Sequence, residues 1–402
     1  MAIDTPAKLA ILGAGPIGLE AALYARFLGY DVIVLEQGRV CEHIHQWGHA
    51  KLLTSFADNC SPLGLAAIEA QDENYQPPAS DAVLTGRQWF EQYLQRLAET
   101  DLLSEHIFTN TRVLGVGKEQ VRKVDLESDL PPGDERGDWP FRILVRDEAG
   151  NERIEMADGV LDCTGVYSQA NHAGHGGLPA VGELGLRSEI IYHLPDVLEA
   201  DRALFEDQRT LLIGDEITTA AAAVMLDELQ QQSPATKFVW ITTHETEPPE
   251  PINIAWQQTS PQRAKLAEQA NRIARESQAW QWGTHLEQVT RAANDKFSVT
   301  LSGQLAGVHE FDRMLALVGY RGDASLFAEL QVAANPVTGG NDPLKDIRQG
   351  EANFYILGSK SAGRNSQFLS FSDGLQQICA VFAIMGDRAT LNLYGSKPDL
   401  KA

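Results

Sequence analysis

A chain of 402 residues with 43% hydrophobic and 22% charged residues has the composition of a globular protein, and it is longer than one hydrophobic core usually supports, which predicts two domains. Its 55 acidic against 33 basic residues leave a formal net charge of −22, which argues against nucleic acid or an anionic membrane as partner, because phosphate affinity needs clustered Lys and Arg. No apolar run is long enough to span a bilayer. The four cysteines (Cys41, Cys60, Cys163, Cys379), with no Cys-x-x-Cys among them, predict neither a disulfide framework nor a zinc knuckle.

The opening "MAIDTPAKLAILGAG" lacks the basic, apolar and small-residue succession of a secretion signal and runs straight into a strand, so a reducing, cytoplasmic setting is expected. Lys8 to Leu12 reads as a buried strand, Pro16 to Leu28 as a helix and Asp31 to Leu35 as a second buried strand. This βαβ unit requires a parallel sheet. Its loop carries Gly13-x-Gly15-x-x-Gly18, and Glu36 ends the second strand. Gly13 permits the tight turn, Gly15 leaves room for a pyrophosphate to approach the backbone, and Gly18 lets helix and strand pack closely. The helix N-terminus offers free N–H groups to the phosphates. Glu36 can accept from both ribose hydroxyls and would repel a 2′-phosphate. The expected ligand is an adenosine diphosphate moiety, as in FAD or NAD.

Downstream, "WGHAKLLTSFADNCSPLG" (Trp47 to Gly64) is a varied polar stretch. His43, His45 and His49 invite a metal reading, and His45 and His49 would share a helical face; no acid or cysteine completes the set, so no metal is expected. His49, able to handle a proton near neutral pH, and Asn59 are the catalytic candidates. Asn59-Cys60-Ser61 also matches a glycosylation acceptor, which the absence of a secretion signal leaves as a chance match. Thr85 is a predicted N-cap for "GRQWFEQYLQRLAE". Strand-like pieces then surround "ESDLPPGDERGD", expected to form a mobile hairpin.

From Thr210 the opening pattern recurs: strand "TLLIG", a helix from Thr218 to Gln232, strand "KFVWITT". Aligning the two loops puts Gly214, Glu216 and Thr219 where Gly13, Gly15 and Gly18 stand. Only the first glycine survives. Glu216 obstructs the pyrophosphate and, with Asp215, adds two negative charges where two phosphates should dock. "ITTHETEPPEP" offers no Arg or Lys for a 2′-phosphate, so NADPH should bind poorly and NADH weakly or not at all. The His172-x-x-His175 pair and the Trp280 and Trp282 stripe read as hydrogen-bonding and packing residues. A polar helix within "SPQRAKLAEQANRIAR", further strands, and a helix from about Asp373 complete the chain, with a poorly held tail after Arg388.

Taken together, the N-terminal fingerprint, the "VLDCTGVYS" segment, the duplicated βαβ unit and the late "FYILGSK" resemble the two-dinucleotide-binding-domain FAD-dependent oxidoreductases, the superfamily of thioredoxin-reductase-like enzymes and flavin-containing monooxygenases. The resemblance covers nearly the whole chain. It implies an α/β fold: a Rossmann-like FAD-binding domain (1–168 and 326–402) with a second Rossmann-like, NAD(P)-type domain inserted (169–325). It implies FAD as cofactor, with NAD(P)H left open. Gly13, Gly15, Gly18 and Glu36 would hold the pyrophosphate and ribose, and Val113 would offer a backbone contact to adenine. Thr164 and Gly165 match an "ATG" turn in which Cys163 replaces alanine. Gly358 and Ser359 match a Gly-Asp pair whose acid bonds the ribitol, and the helix near Asp373 would point its N-terminus at the flavin.

"GGLPAVGE" and "SEIIYHLPDV" loosely resemble the monooxygenase linker, while the absence of two nearby cysteines argues against dithiol disulfide-reductase activity. The expected function is therefore FAD-dependent oxidation of a small molecule, monooxygenase-like. The alternatives are a flavin oxidase or dehydrogenase reduced by its own substrate, and a flavin-binding redox sensor or partner-binding module. A homodimer is a candidate assembly.

Overall fold

The computed structural model describes residues 5–244, 250–253, 260–332, 350–361, 369–388 and 390–395. The chain folds into two compact units, the first built from 1–45, 55–169 and 321–402, the second from 46–54 and 170–320.

The first unit opens with β1 (Lys8–Leu12), a helix (Pro16–Phe27) and β2 (Asp31–Leu35), paired in parallel register from Lys8 opposite Asp31 to Leu12 opposite Leu35. Pro16 sits in the first turn of the helix, where its missing N–H costs nothing, and Arg26 in the last turn faces the negative end of the dipole. The stretch read as polar loop is more structured than expected. Helix Glu42–Trp47 leads into it, a 3₁₀ turn at Phe56–Asp58 lies within it, and its end is the first turn of helix Pro62–Gln71, started by Ser61 accepting from Gly64 N. Leu63, Leu65, Ala67 and Ile68 are buried; the run "PLGLAAIEAQ" held that apolar face, and its loop-like neighbours masked it. Thr85 is the N-cap of Gly86–Trp89, which continues through a π-helical turn, Phe90–Leu94, into Gln95–Ala98.

Next come β3 (Ile107–Phe108) and an antiparallel sheet of β4 (Arg112–Lys118), β5 (Phe141–Arg146) and β6 (Glu152–Ala157), followed by β7 (Gly159–Asp162). The segment expected to be a mobile hairpin is clamped. Arg136, buried, pairs with fully buried Glu351 at 2.9 Å and donates to the carbonyls of Arg122 and Asp125.

In the second unit, β8 (Arg209–Ile213), helix Ile217–Gln232 and β9 (Lys237–Ile241) repeat the opening pattern, again with parallel pairing. Helix Pro261–Ser277 follows, buried through Ala267, Ala270, Ile273 and Ala274. Then come β10 (Trp280–Gln281) and a three-stranded antiparallel sheet of β11 (Thr284–Arg291), β12 (Phe297–Gly303) and β13 (Gly307–Phe311). β14 (Arg313–Ala316) completes a parallel sheet in the order β10-β9-β8-β14. Trp280 packs against the core cluster and donates to Thr242 Oγ1 at 3.0 Å, a packing role as expected.

The chain returns to the first unit with β15 (Phe354–Ile356), giving sheet order β15-β7-β1-β2-β3, and helix Phe371–Met385. The tail expected to be poorly held is packed in part: Leu393 N donates to Tyr24 Oη at 3.1 Å, and Tyr394 Oη reaches Glu20 Oε2 at 3.2 Å. Glu20 is fully buried, and Tyr93 Oη donates to it at 2.5 Å. Burial pushes Glu20 up to about 7, against the pull of its three hydroxyl partners. A charge-capable group in the middle of the first helix therefore gave the C-terminal residues something to hold, which local pattern does not reveal. Among the described residues, no helix is long and apolar enough to cross a membrane.

Candidate functional site

Within the first unit, the carboxyl ends of β1, β7 and β15 are adjacent, and an open parallel sheet binds ligands in the crevice outside those ends. The three glycines of the β1 loop play separable parts. Gly13 has φ +97°, and a Cβ there would stand 2.9 Å from Cys163 O; a Cβ on Gly18 would stand 2.0 Å from Gly13 O. Both are demanded by the protein's own packing. A Cβ on Gly15 would meet nothing within 4 Å, so that position is kept bare beside open space, as a site for a closely approaching ligand requires.

Glu36, 8% exposed, accepts from Ala14 N at 2.8 Å through Oε2 and from Gly38 N at 2.9 Å through Oε1. These amides fix the carboxylate, and each oxygen retains acceptor capacity for a ribose hydroxyl. On the other flank, Thr164 donates to Asp162 Oδ1 through both N (3.1 Å) and Oγ1 (2.6 Å). Gly165, at φ +66°, lies against Ser359, whose Oγ would be 3.7 Å from a Cβ at that position. Gly358, at φ +69°, packs on Ile17 and donates its N–H to Gln377 Oε1 at 2.7 Å. The structure thus gathers Gly13, Gly15, Thr164, Gly165, Gly358 and Ser359 around one sheet end. Val113 is in β4, two residues after Thr111, whose N–H donates to Glu36 O at 2.7 Å, and its side chain is in the core cluster with Leu12 and Leu35. Residues 362–368, between this site and the final helix, lie outside the described residues, as do 245–249 of the "ITTHETEPPEP" stretch.

Sequence reasoning passed over two residues here, Asp162 and Lys360. Lys360 Nζ lies 2.5 Å from Asp162 Oδ2 and 3.0 Å from Thr164 Oγ1, and the side chains of Lys360 and Asp162 are 3% and 0% exposed. Their separation along the chain gives no spacing signal.

The catalytic candidates fall in different units. Asn59, buried in the first, donates from its side-chain Nδ2 to Ser55 O at 2.7 Å, and its main-chain carbonyl accepts from Trp89 Nε1. His49 belongs to the second, where burial, its largest influence, lowers the imidazole pKa against the pull of Asp196 and Asp201. Helix Glu42–Trp47 ends before His49, so His45 and His49 share no helical face. His43 stacks on Tyr167, and His45 packs edge-on against Phe90. In the second unit, His172 lies 3.3 Å from Arg187 and His175 stacks on His285. Among the described residues no three His, Cys, Asp or Glu side chains gather as a metal would need.

The second unit's loop also opens on a glycine at positive φ, with a different filling. Gly214 has φ +137°, with Leu317 O 2.3 Å from where a Cβ would be. Thr219 Oγ1 donates to that same carbonyl at 3.2 Å, and Trp240 Nε1 donates to Gly214 O at 2.8 Å. Glu216 is the N-cap of the following helix. Its carboxylate lies against Gly319, with Oε1 3.3 Å from where a Cβ would stand. Burial, seconded by Asp215, pushes Glu216 up to about 7. Asp215 itself faces His244 Nε2 at 3.4 Å.

All four cysteines are free thiols. Burial pushes the Cys60 thiol up to about 12 and raises Cys41 and Cys163 well above the usual range.

The family model described as "Pyridine nucleotide-disulphide oxidoreductase" matches residues 10–128. No protein of curated function matches the sequence. Among solved structures, the bacillithiol disulfide reductase Bdr (YpdA) from Bacillus cereus is similar over 95% of this chain and 99% of its own, at 17% identity and a TM-score of 0.69. The FAD-bound cadaverine monooxygenase DfoA from Erwinia amylovora is similar over 96% and 95%, at 14% identity and 0.66. The thioredoxin reductase of T. acidophilum is similar over 94% and 97%, at 15% identity and 0.59. Disulfide reductases thus share this fold, and the expectation that disulfide reduction is absent gains no support from the relatives. The chain has the α/β fold of the two-dinucleotide-binding-domain oxidoreductases, the thioredoxin-reductase-like and flavin-containing-monooxygenase-like superfamily.

Proposed function

We propose that this protein is an FAD-dependent oxidoreductase acting on a small molecule, monooxygenase-like, with weak or altered use of NAD(P)H. One contrast carries the reading. The middle glycine of the first loop faces open space, whereas its counterpart in the second is a glutamate whose carboxylate lies against Gly319. A dinucleotide approaching Gly15 meets bare backbone, the positive end of helix Pro16–Phe27, and Glu36 already oriented by two amides. Those residues fit FAD: Gly13 to Gly18 would cradle its pyrophosphate, Glu36 its adenine ribose, and Gly358 and Ser359 would face the ribitol side. When bound, FAD would supply the electron transfer. The chain's own part is to hold and orient it and to shape the space where a substrate meets it.

In the second unit, a nucleotide's phosphates would meet Glu216 beside Asp215. That favours a second reading of the electron source, reduction by the substrate itself, as in an oxidase. Disulfide reduction, a chemistry found among the structural neighbours, is less favoured because Cys41, Cys60 and Cys163 are buried thiols with raised pKa, and the thiolate is the reactive form.

The test is the visible spectrum of the purified protein, followed by anaerobic stopped-flow mixing with NADH, NADPH and candidate substrates. Bound FAD with little bleaching by NADPH is expected. Protein that takes up no FAD would end the reading. Full bleaching by NADPH within seconds would end the claim of an impaired second loop.

A further inference from the structure

Among the described residues, the Lys360–Asp162 pair is a buried charge pair at the ligand end of the first unit's sheet for which neither the fingerprint nor the proposed function has a use. We infer that Lys360 is a positioning residue for the dinucleotide: it holds Thr164, and through the Asp162–Gly165 turn the floor beneath the glycine loop, in the shape that binds FAD. This rests on the FAD reading above.

The lysine comes from the segment following β15 and reaches across to the end of β7. Its stem passes over Gly322, where a Cβ would come within 2.7 Å of Lys360 Cγ, so the path of the side chain is built into the backbone. Its ammonium sits 5.0 Å from the centre of the Phe327 ring, donates to Asp162 Oδ2 and donates to Thr164 Oγ1. Thr164 in turn donates twice to Asp162 Oδ1. Three residues therefore close a ring of hydrogen bonds over a single turn. Inside that turn is Cys163, whose carbonyl oxygen lies 2.9 Å from where a Cβ on Gly13 would be, and whose own Cβ is 3.5 Å from where one on Gly18 would stand. A rotation of the turn would thus be transmitted to the first and third glycines of the loop.

Stability alone is a poor reason for such a pair. Burying two charges costs about as much as their attraction returns, and well-packed apolar residues commonly serve a fold as well or better. What an ion pair with a hydrogen-bonded hydroxyl adds is direction: it admits one arrangement of the turn, where an apolar contact admits several.

The experiment separates direction from mere charge balance by measuring FAD affinity and thermal midpoint together on the full chain. Lys360→Met leaves Asp162 uncompensated and should weaken both. The double variant Lys360→Met with Asp162→Asn removes both charges while leaving Thr164 an acceptor at position 162. It should recover the thermal midpoint but keep FAD about tenfold weaker, the weight of one misplaced hydrogen bond, with an altered near-UV circular dichroism of the bound flavin. Recovery of affinity and dichroism along with the midpoint would overturn the inference. Should both charge variants fail to fold, Thr164→Val against Thr164→Ser decides. Valine should show the same weakening and serine wild-type affinity; equal affinities overturn the inference. Wild-type protein without affinity for FAD would instead refute the reading on which it rests.

Discussion

Glu216→Gln tests whether the second loop carries a charge it would be more stable without. The carboxyl titrates near 4.5 in an unfolded chain and is raised to about 7 in the fold, chiefly by burial and then by Asp215. Below pH 4.5 both states hold the proton and the side chain is neutral to stability. Between 4.5 and 7 the folded state holds a proton that the unfolded state has released, so stability falls as pH rises, by about 1.4 kcal/mol per unit. Above 7 the loss is complete, at about 3 kcal/mol.

Glutamine has the same shape and never ionises, so the variant should match the wild type at pH 4.5 and exceed it by about 3 kcal/mol at pH 8. For a unit of this size that is roughly 6–12 °C in midpoint. Differential scanning calorimetry at the two pH values measures it. An equal difference at both would show that ionisation of Glu216 is not opposed by its surroundings, and the argument for a buried charge in that loop would fail.

The remaining predictions concern the two loops and the clamp. Gly15→Glu should leave the apo-protein's midpoint unchanged, since a Cβ there meets nothing, yet abolish FAD retention; a FAD-saturated variant would refute the assignment of the first loop. Gly18→Ala should by contrast destabilise the fold itself, because its Cβ would collide with Gly13 O; denaturant unfolding distinguishes the two. Asp215→Ala with Glu216→Gly should tighten NADH binding by about tenfold or more when measured at about pH 8, above the pKa of about 7 to which Glu216 is raised, the effect of two like charges removed from a phosphate site, and an unchanged titration would mean that charge does not limit that site. Arg136→Met, which leaves buried Glu351 unpaired, should cost about 3–5 kcal/mol in urea unfolding; a loss below about 1 kcal/mol would match an exposed pair and remove the clamp from the account of the middle segment.

Much of the architecture was legible because it is local. The runs "KLAIL" and "DVIVL", the glycine spacing between them and the terminal Glu36 specify a βαβ unit through strand propensity, tight-turn geometry and helix packing, all within a few dozen residues. The repeat at Gly214 was legible for the same reason, as was the oddity of Glu216. Helix Pro62–Gln71 was not, since its short apolar run sits among loop-like neighbours and becomes a helix by burying Leu63, Leu65 and Ile68.

What only the tertiary structure decided are the pairings between residues far apart in the chain. Arg136 finds Glu351, Tyr394 finds Glu20, and Lys360 finds Asp162 and Thr164. It also decided that Gly13 and Gly18 are bare for the protein's own packing while Gly15 is bare toward open space. Sequence spacing treats the three glycines alike, because it records which side chains are missing; whether a neighbouring backbone or empty space lies where a Cβ would be depends on strands that meet only once the chain has folded.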